Sequence, residues 1–142
     1  MKTALRTIAA VLLAAAPIAG CDSGTLDLDI TATVPAEIAP VSSGILRLSL
    51  WVYDPLLADA PAALADEDSA VFSHTTGRAN EFRFHVSTDV PSGQQYYVTL
   101  RGFERTAQCE RYILWDGIDG TEAPRKIVMR AVPIPSCQTG QR

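Results

Sequence analysis

Histidine is scarce in this chain, with only His74 and His85, and neither stands in a paired spacing such as H-x-H or H-E-x-x-H. Both are expected to be exposed and idle, His85 beside Arg83 on the solvent side of a strand and His74 closing a short one. A G-x-S-x-G elbow is missing, and Ser92-Gly93 follows a proline in an evident turn. No phosphate-binding glycine loop is present, nor any internal repeat. The carboxylates add little. Asp27 and Asp29 share the outward side of a strand, while Asp66-Glu67-Asp68 reads as a solvated loop. Asp116, Asp119 and Glu122 lack the spacing of a calcium loop and read as Asp-Gly turns. These absences point away from an enzyme, a metal site or a cofactor. Basic charge is low as well: 12 Lys and Arg against 16 Asp and Glu give −4. Nucleic acid and electrostatic docking on anionic lipid are poor matches for such a body. Long apolar runs are also missing after residue 21, so nothing there reaches the roughly 20 residues of a membrane-spanning helix.

What the chain does have begins at its amino end. Lys2 and Arg6 supply a positive start, Thr7 to Ala16 an apolar centre, and Ile18-Ala19-Gly20 a small-residue approach to Cys21. That is the layout of a cleaved secretory signal peptide over residues 1–20. Pro17 argues against a buried helix there. Ile18-Ala19-Gly20-Cys21 also resembles the bacterial lipobox, in which the cysteine is diacylated and becomes the new amino terminus. The resemblance implies a lipidated Cys21, an exported protein and a bilayer as its first partner. Each buried methylene contributes ~0.8 kcal/mol, so two or three acyl chains hold durably where one does not. Asp22 resembles the signal that keeps enteric lipoproteins in the inner membrane. Inner and outer membrane both stay open.

Residues 21–25 then form a short tether, 26–137 a domain and 138–142 a tail. Without residues 1–20 the balance is 10 basic against 16 acidic residues, or −6. With Cys21 acylated, Cys109 and Cys137 are left as an even pair in an exported protein, and a disulfide is the default. Closing a loop of about 29 residues stabilises by roughly 3.5 kcal/mol in the chain-entropy model. A metal site at this pair lacks nearby ligands.

Period-two alternation dominates the domain. Leu26, Leu28, Ile30, Ala32 and Val34 oppose Asp27, Asp29, Thr31 and Thr33. Leu46, Leu48, Leu50 and Val52 oppose Arg47, Ser49, Trp51 and Tyr53. Phe82, Phe84 and Val86 form a third row, and Tyr96, Val98 and Leu100 a fourth. CERYILWD, RKIVMRAV and the short SAVFSH complete about seven strands. Residues 54–69, rich in Ala and Leu but limited by Pro55 and Pro61, read as a long connection with a helical piece at Ala62 to Ala65. Seven one-faced strands are best satisfied by two packed sheets, an all-β antiparallel sandwich, with a small closed barrel as the other solution.

The polar sides of two strands are unusual. Arg47, Trp51, Tyr53, Tyr97 and Arg101, with Phe103, bring together residue types in which binding energy concentrates. Cross-strand pairing on a stabilising face, or cover by the 54–69 connection, explains the same pattern. The two strands must share a sheet for a binding face to exist.

The block Leu46-Arg47-Leu48-Ser49-Leu50 with Asp54 and Leu57-Ala58-Asp59-Ala60-Pro61, followed by FRFHV and YYVTLRGF, resembles the YbaY/YscW-type lipoprotein family over residues 30–103. Trp51-Val52-Tyr53 lengthens the strand before the aspartate, and the part carrying Cys109 and Cys137 has no match in that pattern. The resemblance implies a membrane-anchored β-sandwich. Some members are pilotins that bind secretin subunits. A structural or surface lipoprotein whose sandwich binds carbohydrate or another surface component is the other reading of the same architecture.

Overall fold

The computed structural model describes residues 24–57, 59–116 and 125–138. Cys21, the signal peptide, Asp119 and Glu122 lie outside the described residues. Eight strands follow in chain order: β1 (Gly24–Val34), β2 (Val41–Tyr53), β3 (Ala63–His74), β4 (Asn80–Val90), β5 (Gln95–Arg105), β6 (Glu110–Trp115), β7 (Lys126–Val128) and β8 (Arg130–Gln138). They form a three-stranded sheet in the order β4-β1-β7 and a five-stranded sheet in the order β3-β2-β5-β6-β8. The two layers are the expected sandwich. Every pairing is antiparallel except β1 with β7, where Thr31 to Thr33 run parallel to Lys126 to Val128.

The alternating rows become the core. Ile30, Ala32, Val34, Phe84, Val86 and Ile127 from one sheet meet Leu46, Leu48, Leu50, Phe72, Val98, Leu100 and Leu114 from the other. Each fully buried leucine contributes about 1.5–3 kcal/mol relative to exposure. Gly44 is needed where β2 passes β3 and β5, because a Cβ there would strike the Phe72 ring and stand 2.9 Å from the Phe103 carbonyl oxygen.

Four expectations change. Residues 63–69 are strand and not part of a helix-bearing connection, so SAVFSH is only the end of a twelve-residue β3. Pairing with β2 from Val52↔Ala63 onward supplies backbone partners that outweigh a weak helical preference. RKIVMRAV is not one strand. Buried Met129 splits it, its N–H donating to the Thr33 carbonyl at 2.9 Å, and the chain passes from one sheet to the other.

Asp66-Glu67-Asp68 likewise lies on β3 and not in a loop. There Asp66 accepts the Ser87 amide at 2.8 Å and Asp68 the His85 amide at 2.9 Å. Two carboxylates on the edge of the larger sheet thus cap amides on the edge strand β4 of the smaller one. A strand edge with free amides invites pairing by another chain, and this edge is blunted by charge.

The two ends of the sandwich differ. At one, Gly24 pairs with Val90 and Tyr53 with Gln95, beside the turn Pro91–Gln94. At the other, Cys109 and Cys137 are joined in the expected disulfide, their Cα atoms 5.7 Å apart. His74 is there too, and it is not exposed. It is 4% accessible, its Nε2 3.1 Å from the Ile38 carbonyl oxygen, which also accepts the Thr76 hydroxyl at 2.9 Å. Its alternation with Phe72 turns it inward, under the loop that holds Ile38.

Candidate binding face

β2 and β5 are neighbours, and their register sets Arg47 opposite Arg101, Ser49 opposite Thr99, Trp51 opposite Tyr97 and Tyr53 opposite Gln95. All five expected residues therefore lie on the outer face of one sheet. Residues 63–69 run alongside β2 as an edge strand and do not cover this face.

Trp51 and Tyr97 stack with centroids 6.3 Å apart and planes 15° apart, and Tyr53 tilts against Tyr97 at 5.8 Å. The Trp51 indole donates to the Thr99 hydroxyl at 3.0 Å, and the Tyr53 hydroxyl to Gln95 at 2.7 Å. These bonds hold the rings half-buried and half open to solvent.

The arginines form the other half. Arg47 donates to both oxygens of Glu110, at 3.0 and 2.8 Å, and its guanidinium lies 5.0 Å from the centre of the Phe103 ring. Phe103 faces outward by register but is covered by this arginine and by Tyr112, and is 7% exposed. Arg101 lies 6.0 Å from the Tyr112 ring centre, is exposed, and enters no ion pair among the described residues. Burial raises the Tyr112 phenol above its ordinary value, against the pull of the Arg101 charge.

Tyr112 and Trp115 extend the face on β6, opposite Phe103 and Arg101 respectively. Sequence alternation missed them because a bulge between Gly102 and Phe103 shifts the register, placing outward residues three apart. An aromatic pair at that spacing, beside a strand already rich in outward aromatics, is the signal that was there to read.

His85 lies elsewhere, exposed on β4, with Nδ1 3.0 Å from Asp29 and Nε2 3.2 Å from Asp27. The Asp29 hydrogen bond first, then the Asp27 charge, raise its pKa above 6.5. Among the described residues no group of three His, Cys, Asp or Glu side chains is placed to hold a metal.

No family model matches the chain, and no curated protein matches it. Among solved structures it is similar to one described as an alternative pilotin from the type II secretion system of Vibrio cholerae. The likeness has 16% identity and a TM-score of 0.49, over 75% of this chain and 98% of that one.

Proposed function

We infer that this is a lipid-anchored envelope protein that acts by binding rather than catalysis, offering the outer face of its five-stranded sheet to a protein partner beside the membrane. The observation that carries this reading is the assembly of Arg47, Trp51, Tyr53, Tyr97 and Arg101 on one uncovered sheet face. Tryptophan, tyrosine and arginine dominate binding hot spots because each offers a large apolar area with a polar group at its end. Arg101 adds an exposed cation ready for a partner's carboxylate. The anchor is Cys21, on the strength of the lipobox resemblance.

The YbaY/YscW resemblance over residues 30–103 favours an accessory, pilotin-like or chaperone-like role in secretion, with a secretin subunit as partner. A purified secretin subunit should be captured by the lipidated protein in detergent. Trp51→Ala and Arg101→Ala should each weaken capture about tenfold or more, as hot-spot truncations do. Unchanged capture by both variants rejects the face. Palmitate labelling that survives in a Cys21→Ser protein rejects the anchor.

A surface lipoprotein that binds carbohydrate is favoured by one feature, the near-parallel Trp51 and Tyr97 rings beside Thr99 and Gln95. Flat rings bordered by a hydroxyl and an amide suit a sugar's apolar face and its hydroxyls. Glycan binding lost in Trp51→Ala, with cleavage by protease added to intact cells, would select this reading over the first.

A further inference from the structure

Exposed large apolar side chains stand singly along the strands at Leu64, Val71, Val128 and Ile134, and side by side at one place only among the described residues. Leu56 is 89% and Leu57 57% accessible, and both stand at the end of the sandwich where β1 begins. Their turn is built, not loose. Asp54 accepts the Leu56 amide at 2.9 Å through its side chain, and its carbonyl accepts the Leu57 amide at 3.1 Å. Two adjacent leucines are thereby held out into solvent at a tip, just past Tyr53, the last residue of β2. Such a tip needs an explanation.

The chain outside the structure provides one. Only Asp22 and Ser23 separate the lipidation residue from Gly24, a span of about 10 Å when fully extended. Gly24 pairs with Val90, and the four-residue turn Pro91–Gln94 leads from Val90 to Gln95, the partner of Tyr53. Gly24, three residues after Cys21, and the leucine tip thus share one pole.

We propose that this pole seats in the bilayer, with Leu56 and Leu57 entering the boundary between headgroups and acyl chains and Tyr53 lying at headgroup level behind them. The placement rests on the acyl anchor at Cys21. Exposed leucines with a tyrosine above them are the side chains that favour this layer. Charge selects the lipid. Residues 24–26, 53–64 and 88–97 contain no Lys or Arg, while Asp54, Asp59 and Asp89 are acidic. Insertion is therefore apolar in origin, insensitive to salt, and stronger in zwitterionic than in anionic vesicles. Strands β2 and β5 then stand upright, carrying the Arg47–Arg101 pair six residues, or about 20 Å, above Tyr53.

The test uses the chain from Cys21 to Arg142, which contains both sheets entire, with its one thiol outside the disulfide coupled to a maleimide lipid in phosphatidylcholine vesicles. A single tryptophan is placed by Leu57→Trp in a Trp51→Phe, Trp115→Phe background. A control carries Val71→Trp in the same background, since Val71 pairs with Ile45 at the far end and is 67% exposed. Brominated acyl chains should quench the Leu57→Trp protein and leave the Val71→Trp protein bright.

Equal emission of the Leu57→Trp protein in brominated and plain vesicles overturns the proposal. So does a blue shift that follows protein concentration without lipid, which would assign the leucines to a contact between copies. Because coupling supplies the lipid chemically, failure of natural acylation at Cys21 sinks the anchor alone. Absent quenching sinks the seating alone.

Discussion

The two poles of the sandwich are tied differently. The far pole is cross-tied over long sequence distances. A disulfide joins Cys109 to Cys137, buried His74 reaches the Ile38 carbonyl, and Gly77 donates to the Ala36 carbonyl at 2.7 Å. The Thr106 hydroxyl gathers the β5–β6 turn by accepting the Cys109 amide at 3.1 Å. The Gly24 pole is held by hydrogen bonds alone among the described residues: Asp54 to Leu56 and Leu57, Pro91 to Gln94, and the cross-strand bonds of Tyr53 with Gln95 and Thr25 with Asp89. Its leucines point outward. The far pole carries exposed apolar side chains singly, as at Val71, while the Gly24 pole presents two adjacent leucines.

That contrast can be broken most forcefully at the covalent tie. Replacing Cys109 and Cys137 by serine should lower stability by about 3.5 kcal/mol, read as a fall in the urea midpoint. A smaller loss implies that the far pole is held mainly by its other contacts. Gly44→Ala comes next, at about 1–3 kcal/mol by urea unfolding, since the added methyl meets backbone and a buried ring that cannot yield together.

At the Gly24 pole the expectation reverses. Leu56→Ser with Leu57→Ser should change urea stability by no more than about 0.5 kcal/mol, as surface changes do. A larger loss would mean that these leucines support the fold. The smallest effect is a titration on the three-stranded sheet between the poles. The His85 pKa is raised, so its pairing stabilises fully below pH 6.5 and the contribution fades as pH rises through the folded-state midpoint. An NMR titration should place that midpoint above 6.5, and Asp29→Asn should bring it back towards 6.5. Asp66 carries the opposite sign. Its amide bonds from Ser87, then Glu67, lower its pKa below 3.8, so its stabilisation holds above that value and is lost as pH falls through the folded midpoint.

Much of this arrangement was legible in the sequence where a strand alternates cleanly. Leu46, Leu48 and Leu50 read as inward, and Arg47, Trp51 and Tyr53 as outward, because a period of two cannot serve any other element. The same reading placed the aromatic and arginine residues of β5. It could not place Tyr112 and Trp115, whose spacing is set by a bulge that belongs to the pairing and not to β6 alone. Residues 63–69 were unreadable for a different reason: alanine and leucine are helix formers, and only the open edge of β2 makes them strand. His74 hid its burial because its partner is a main-chain carbonyl 36 residues away, which leaves no mark in side-chain pattern.

The parallel pairing of β1 with β7 has a consequence for the order of assembly. β1 is the central strand of its sheet, yet Gly24 finds Val90 only when β4 has arrived, and Thr31 finds Lys126 only near the end of the chain. Contacts so distant along the chain form slowly, because a large loop must close before any of them is made. A polypeptide emerging amino end first therefore keeps its leading segment unpaired until almost its whole length is available. The first strand to be synthesised is thus among the last to be enclosed.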